Sequence, residues 1–168
     1  RSESLEMTQR IEEIRQRLTR LQDKNLDEAP LLERASLIYE QLGDAKKSDE
    51  LLQKLATLDP QGDQVKRLNA QVMANRQDFA GAEKILRDLA EGEKDVDAKR
   101  RILLQLSELV VRQGDNKRAR EVLREAVESK VADSSVYYQL GQIAANDGDW
   151  KEVAECEKWL RRVEGEGG

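Results

Sequence analysis

The feature that most limits what this chain can fold into is a turn signal that returns at near-constant spacing. Gly43-Asp44, Gln77-Asp78, Gly114-Asp115 and Gly148-Asp149 begin 34, 37 and 34 residues apart. A glycine tolerates the left-handed backbone that closes a helix, and an aspartate just after it can accept from the first unpaired N–H groups of the next. Each pair therefore ends one helix and starts another. A fixed period between such pairs marks a repeated helix-turn-helix unit.

The side chains keep register with the turns. After each turn a small-residue site carries Ser48, Ala82, Ala119 and Val153, a packing site carries Leu52, Leu86, Leu123 and Glu157, and a third carries Leu55, Leu89, Ala126 and Leu160. Spacings of four and then three place these on one helix face. The first helices agree, since Leu32, Ala35, Ser36 and Tyr39 correspond to Leu103, Leu106, Ser107 and Val110, and to Tyr137, Leu140, Gly141 and Ala144. The second unit matches least well: Lys66, Asn69 and Ala70 occupy its aromatic, Leu and Gly sites, although Met73, Phe79 and Ala82 keep the later ones. The three extra residues of the longer spacing fall within 92–97, between units, where an insertion costs little.

Together these residues resemble the tetratricopeptide repeat family over roughly 29–164. The resemblance implies an all-α fold, a right-handed superhelix of antiparallel helix pairs, with repeats near 29–62, 63–99, 100–133 and 134–164 and a flexible tail at 165–168. It also implies a non-enzymatic interaction module or adaptor, whose first helices line a concave groove that binds a peptide segment of another protein. Carrying over the family's inward positions gives Glu33, Leu37 and Gln41 in the first repeat and Arg67, Gln71 and Asn75 in the second. The third contributes Arg101, Leu104, Glu108 and Arg112, and the fourth Tyr138, Gln142 and Asn146.

Gln and Asn amides can pair with a peptide's N–H and C=O at once, and Arg forks suit carboxylates, so an acidic peptide is favoured. Some family members clamp a chaperone's C-terminal carboxylate with Lys, Asn and Arg. The positions concerned here hold Glu33, Leu37, Leu68, Arg101 and Gln105, of which only Arg101 fits, and Glu33 would repel a carboxylate. That kind of adaptor is disfavoured.

Ahead of the repeats, within 1–28, Met7, Ile11, Ile14, Leu18 and Leu21 are spaced four, three, four and three, the stripe of an amphipathic helix. We expect it to cover the open face of the first repeat and leave a monomer. The alternative is a short coiled coil with a second chain, giving a dimer and a self-associating structural scaffold.

A charged fraction of 38% with few aromatics and two prolines suits helices throughout. The net charge of −5 opposes a nonspecific nucleic-acid binder, which needs a basic footprint. There is no histidine, no Cys-x-x-Cys, no Gly-rich phosphate loop and no Gly-x-Ser-x-Gly, so we expect no catalytic residue, cofactor or metal. Adjacent acids such as Glu12-Glu13 and Asp49-Glu50 point apart on a helix and read as solvated faces. The single cysteine, Cys156, excludes an intramolecular disulfide, leans the compartment towards the cytoplasm, and reads as a small helix residue. No apolar run is long enough to span a bilayer, so direct membrane contact is not expected. In the fourth repeat, Glu157 is expected to face water, Trp150 to pack in the turn, and Trp159 to be partly exposed.

Overall fold

The computed structural model describes residues 28–59 and 62–166, together with Gln9, Glu12, Glu13 and Gln16. The apolar stripe from Met7 to Leu21 lies outside the described residues. Eight helices and no strand occur among them: α1 (Glu28–Gln41), α2 (Ala45–Leu58), α3 (Asp63–Asn75), α4 (Phe79–Gly92), α5 (Val96–Arg112), α6 (Asn116–Glu128), α7 (Ser134–Asn146) and α8 (Trp150–Glu166). The fold is all-α, built of consecutive helix pairs, as the turn register requires.

Local chemistry explains the boundaries. Gly43, Gly114 and Gly148 adopt φ of +75°, +81° and +73°, and Gln77 takes the same left-handed conformation at +66° without a glycine's freedom. The aspartate after each turn caps the next helix: Asp44, Asp78, Asp115 and Asp149 accept from the N–H groups of Lys47, Gly81, Arg118 and Glu152 at 3.0–3.2 Å. Asp95 does the same for α5, accepting from Ala98 at 2.7 Å. The helix consequently begins at Val96 rather than near Arg100, and part of the extra sequence becomes an added first turn. At the far end α8 runs to Glu166, so Gly165 and Glu166 of the expected tail are helical.

The chain packs as two compact units that meet in sequence after Arg76, inside the second repeat. In the first, Leu32, Ala35 and Tyr39 of α1 form one core with Leu51, Leu52 and Leu55 of α2 and Val65, Leu68 and Val72 of α3. Helix α3 keeps only part of the repeat's usual contact: Ala70 is buried at the Gly site, but Lys66 is exposed and Asn69 half-buried, and Val65, Leu68 and Val72 turn to the core. The Arg76 guanidinium, just past α3, grips Glu40 of α1 through two bonds of 2.7 and 2.8 Å and reaches Asp49 of α2 at 3.0 Å. That fork holds the Glu40 carboxyl below its usual range.

In the second unit, α4 to α8 each pack on the next. The three small sites at the pair crossings behave as the register requires. Ser36 and Ser107 are fully buried, and a Cβ added at Gly141 would stand 3.4 Å from the Cys156 Cβ, which fixes the close approach of α7 and α8.

The last helix departs from the register. Counted from the capping aspartate, α6 buries Ala119, Val122, Leu123 and Ala126, whereas α8 buries Glu152 and Cys156 and leaves Val153 and Leu160 half-exposed. Glu157 faces solvent as expected, and Trp159 is partly exposed. Trp150 does not pack in the turn but is 68% exposed. Its counterpart Phe79 is half-buried, with the Arg112 guanidinium of the following helix 5.7 Å from the centre of that ring.

Candidate functional site

Among the positions of the first unit expected to face inward, Glu33 on α1 accepts a hydrogen bond from Gln64 Nε2 on α3, which ties the two first helices together. Leu37 is half-buried against the apolar core, and Gln41 is exposed at the end of α1. On α3, Arg67 is half-buried, and Gln71 and Asn75 are exposed. Leu68, one of the clamp positions, is a core residue and has no access to a ligand.

In the second unit, Arg101, Glu108 and Arg112 are exposed along α5 with Leu104 half-buried among them. Gln105 is half-buried as well. On α7 the row Tyr138, Gln142 and Asn146 is exposed throughout, with Tyr138 at 60%. Gln142 Nε2 donates to the Tyr138 hydroxyl at 3.0 Å, which holds the phenol along the helix. Helices α5 and α7 both pack on α6. Arg67 belongs to the first unit, and Arg101 and Arg112 share the second, so the three arginines are not drawn into one unit.

The most developed polar arrangement lies elsewhere, on the second helices. Glu152 of α8 is only 9% exposed and is met by two arginines of α6. Arg124 forks onto it through Nε and one terminal nitrogen, both at 2.7 Å, and Arg120 donates at 2.8 Å. Arg120 also reaches Asp149 at 2.8 Å and Asp147 at 3.4 Å. A bond from the Glu152 backbone N–H, aided by Arg120, keeps the Asp149 carboxyl below its usual value.

Beside this cluster Tyr137 and Trp159 are stacked, with ring centroids 3.9 Å apart and planes within 16°. Burial pushes the Tyr137 hydroxyl up. Burial, with Glu152 and Glu155 alongside, pushes the Cys156 thiol up to about 11, which keeps it protonated at neutral pH. Among the described residues no three of His, Cys, Asp and Glu are grouped to hold a metal ion, and no helix is long and apolar enough to cross a membrane.

Reading the sequence for inward positions of first helices misses this cluster, because its members lie on second helices. One signal was available. Glu83 and Arg118, which form an ion pair between α4 and α6, stand five and three residues after their capping aspartates, and Arg120 and Glu152 stand at the same two offsets with the charges exchanged.

The profile of the tetratricopeptide repeat family matches residues 29–61, the first helix pair. No curated protein matches the chain in sequence. Among solved structures it is similar to PilF of Pseudomonas aeruginosa, at 11% identity and a TM-score of 0.61 over 93% of this chain and 70% of that one. It is similar also to a tetratricopeptide repeat protein of Parabacteroides merdae, at 16% identity and a TM-score of 0.68, covering 93% of this chain and 60% of that one. A third is MamA, at 16% identity and a TM-score of 0.58 over 89% of this chain and 86% of that one. At these identities the likeness is one of fold.

Proposed function

We propose that this chain, whose first helix pair matches the tetratricopeptide repeat and whose fold is shared with such proteins, is a non-enzymatic interaction module that holds a peptide segment of another protein on the exposed faces of its first helices. The observation that carries the reading is the row on α7, an exposed tyrosine aligned by Gln142 with Asn146 one turn beyond. Tyrosine offers rigid contact area at little entropic cost, and the two amides can satisfy the donors and acceptors of an extended peptide. In the same unit Arg101 and Arg112 flank Glu108 on α5 and favour a segment with spaced carboxylates. In the first unit Glu33, Leu37, Gln41, Arg67, Gln71 and Asn75 supply the corresponding face.

A randomised peptide library displayed against the full chain at low salt provides the test. The best peptide is then titrated against Tyr138→Ala and against Arg101→Glu with Arg112→Glu. We expect Tyr138→Ala to weaken binding about tenfold, and the double reversal to abolish a preference for acidic sequences. Unchanged affinity in both variants, with helical content intact, would remove these faces as the recognition surface.

A further inference from the structure

Two joints between successive second helices, α4 to α6 and α6 to α8, share one plan and are finished differently. Each has an ion pair between the fifth and third positions after the capping aspartates, Glu83 with Arg118 and then Arg120 with Glu152. The first joint adds another strut, Arg87 to Glu125 at 2.8 Å, from the ninth and tenth positions. At those positions the second joint has Arg124 and Trp159. An indole cannot take the place of a carboxylate, so Arg124 turns back onto Glu152 and Trp159 lies flat on Tyr137. Where the first joint is bridged, the second holds a cleft of about 270 Å³.

The cleft has two kinds of surface. Val127, Leu140, Cys156 and the Tyr137–Trp159 stack give it apolar walls. Glu128 and Glu155 stand exposed among its lining, and neither makes an ion pair among the described residues. Glu128 is also the last residue of α6, where the helix dipole disfavours a carboxylate and a cation would relieve it. Arg124 adds no free positive charge, because Glu152 balances it. The volume lies at the lower end of the range of ligand sites, which begins at roughly 300 Å³, and is enough for one large apolar side chain.

We propose that the cleft is a second docking site, distinct from the first-helix faces, for one apolar side chain of a partner protein flanked by lysine or arginine. The apolar group packs against the Tyr137–Trp159 stack, and the cations meet Glu128 and Glu155. Its charge preference is opposite to that of Arg101 and Arg112, so one chain can hold two segments of different character.

The full chain, labelled for NMR, is titrated with acetyl-Lys-Leu-Lys-amide and with acetyl-Glu-Leu-Glu-amide at low salt. The Trp159 indole N–H should shift with the basic peptide, and the exposed Trp150 indole serves as the control. Shifts centred on Trp150 or on the α5 and α7 rows, equal affinity for the two peptides, or no shift at all would overturn the proposal. Trp159→Glu supplies the carboxylate that the first joint uses and should close the cleft, abolishing the response while peptides selected on the first-helix faces still bind. If that variant does not fold, Glu128→Lys and Glu155→Lys decide: each should weaken the basic peptide about twofold to fivefold, and an unchanged affinity would equally sink the idea.

Discussion

Helices α6 and α8 leave the same kind of turn, with a glycine at positive φ and a capping aspartate, yet they bury different stripes. In α6 the buried line is Ala119, Val122, Leu123 and Ala126, all apolar, with α5 and α7 packed on it. In α8 the line is Glu152, Cys156 and, partly, Trp159, set against α7 and against arginines of α6. The turn fixes where a second helix starts. What it faces is fixed by the helices that pack on it, and a buried carboxylate is tolerated only because two guanidinium groups replace its water.

The sharpest way to break this contrast is to truncate one leucine of each helix. Leu123→Ala removes a fully buried side chain of α6 and should cost about 3 kcal/mol, whereas Leu160→Ala, at the α8 position where α6 buries Ala126, removes a half-exposed one and should cost about 1 kcal/mol or less, read by urea denaturation. Equal losses would mean that α8 is buried on the same stripe as α6.

Next in size are the charge-exchanged ion pairs. Glu152→Gln leaves two arginines facing an uncharged partner at a side chain 11% exposed, and should cost about 2 kcal/mol. Glu83→Gln, whose partner Arg118 is 43% exposed, should cost less than about 1 kcal/mol and depend more on salt. A larger loss at Glu83 would reverse the assignment of the tighter joint.

The turns themselves give a smaller effect. Gln77 holds at φ +66° the conformation that glycine supplies in the other three turns, so Gln77→Gly should raise stability by up to about 1 kcal/mol. Gly114→Ala should lower it by a similar amount.

The least effect on the whole chain, though the most local, is that of acid. Asp133 and Asp149, which cap α7 and α8, both sit below the usual aspartate value near 3.8. For Asp133 burial works against the shift, and the bonds from Ser135 and Val136 with the Arg100 charge outweigh it. A carboxyl held low in the folded chain stabilises it above the ordinary value, and the contribution is lost as pH falls from there. Amide exchange should therefore quicken first in α7 and α8 on acidification below about pH 4, ahead of α5 and α6. Simultaneous acceleration across the unit would argue against it.

Much of the fold was legible because it rests on local chemistry. The four turns, the aspartate caps, the small residues at the crossings and the role of Gly141 follow from backbone sterics and from unpaired N–H groups, which depend on a few adjacent residues. The weakness of the second repeat was legible as well, in Lys66 and Asn69, and the two packing units divide within that repeat. Of the positions expected to face inward, Tyr138, Gln142 and Asn146 are all exposed on α7, and their four-residue spacing puts them on one helix face.

The sequence by itself determined where each helix begins and ends, which positions are small, and that the chain is built of repeated pairs. Only tertiary packing decided that α8 turns Glu152 inward and leaves Val153 half-exposed, that Trp150 stands exposed, and that Trp159 opens a cleft where Glu125 closes one. The physical reason is range. Caps and turns are settled within a few residues, whereas the rotation of a helix is a contest between its apolar stripe and the charges of helices about 30 residues away, and here Arg120 and Arg124 decide it.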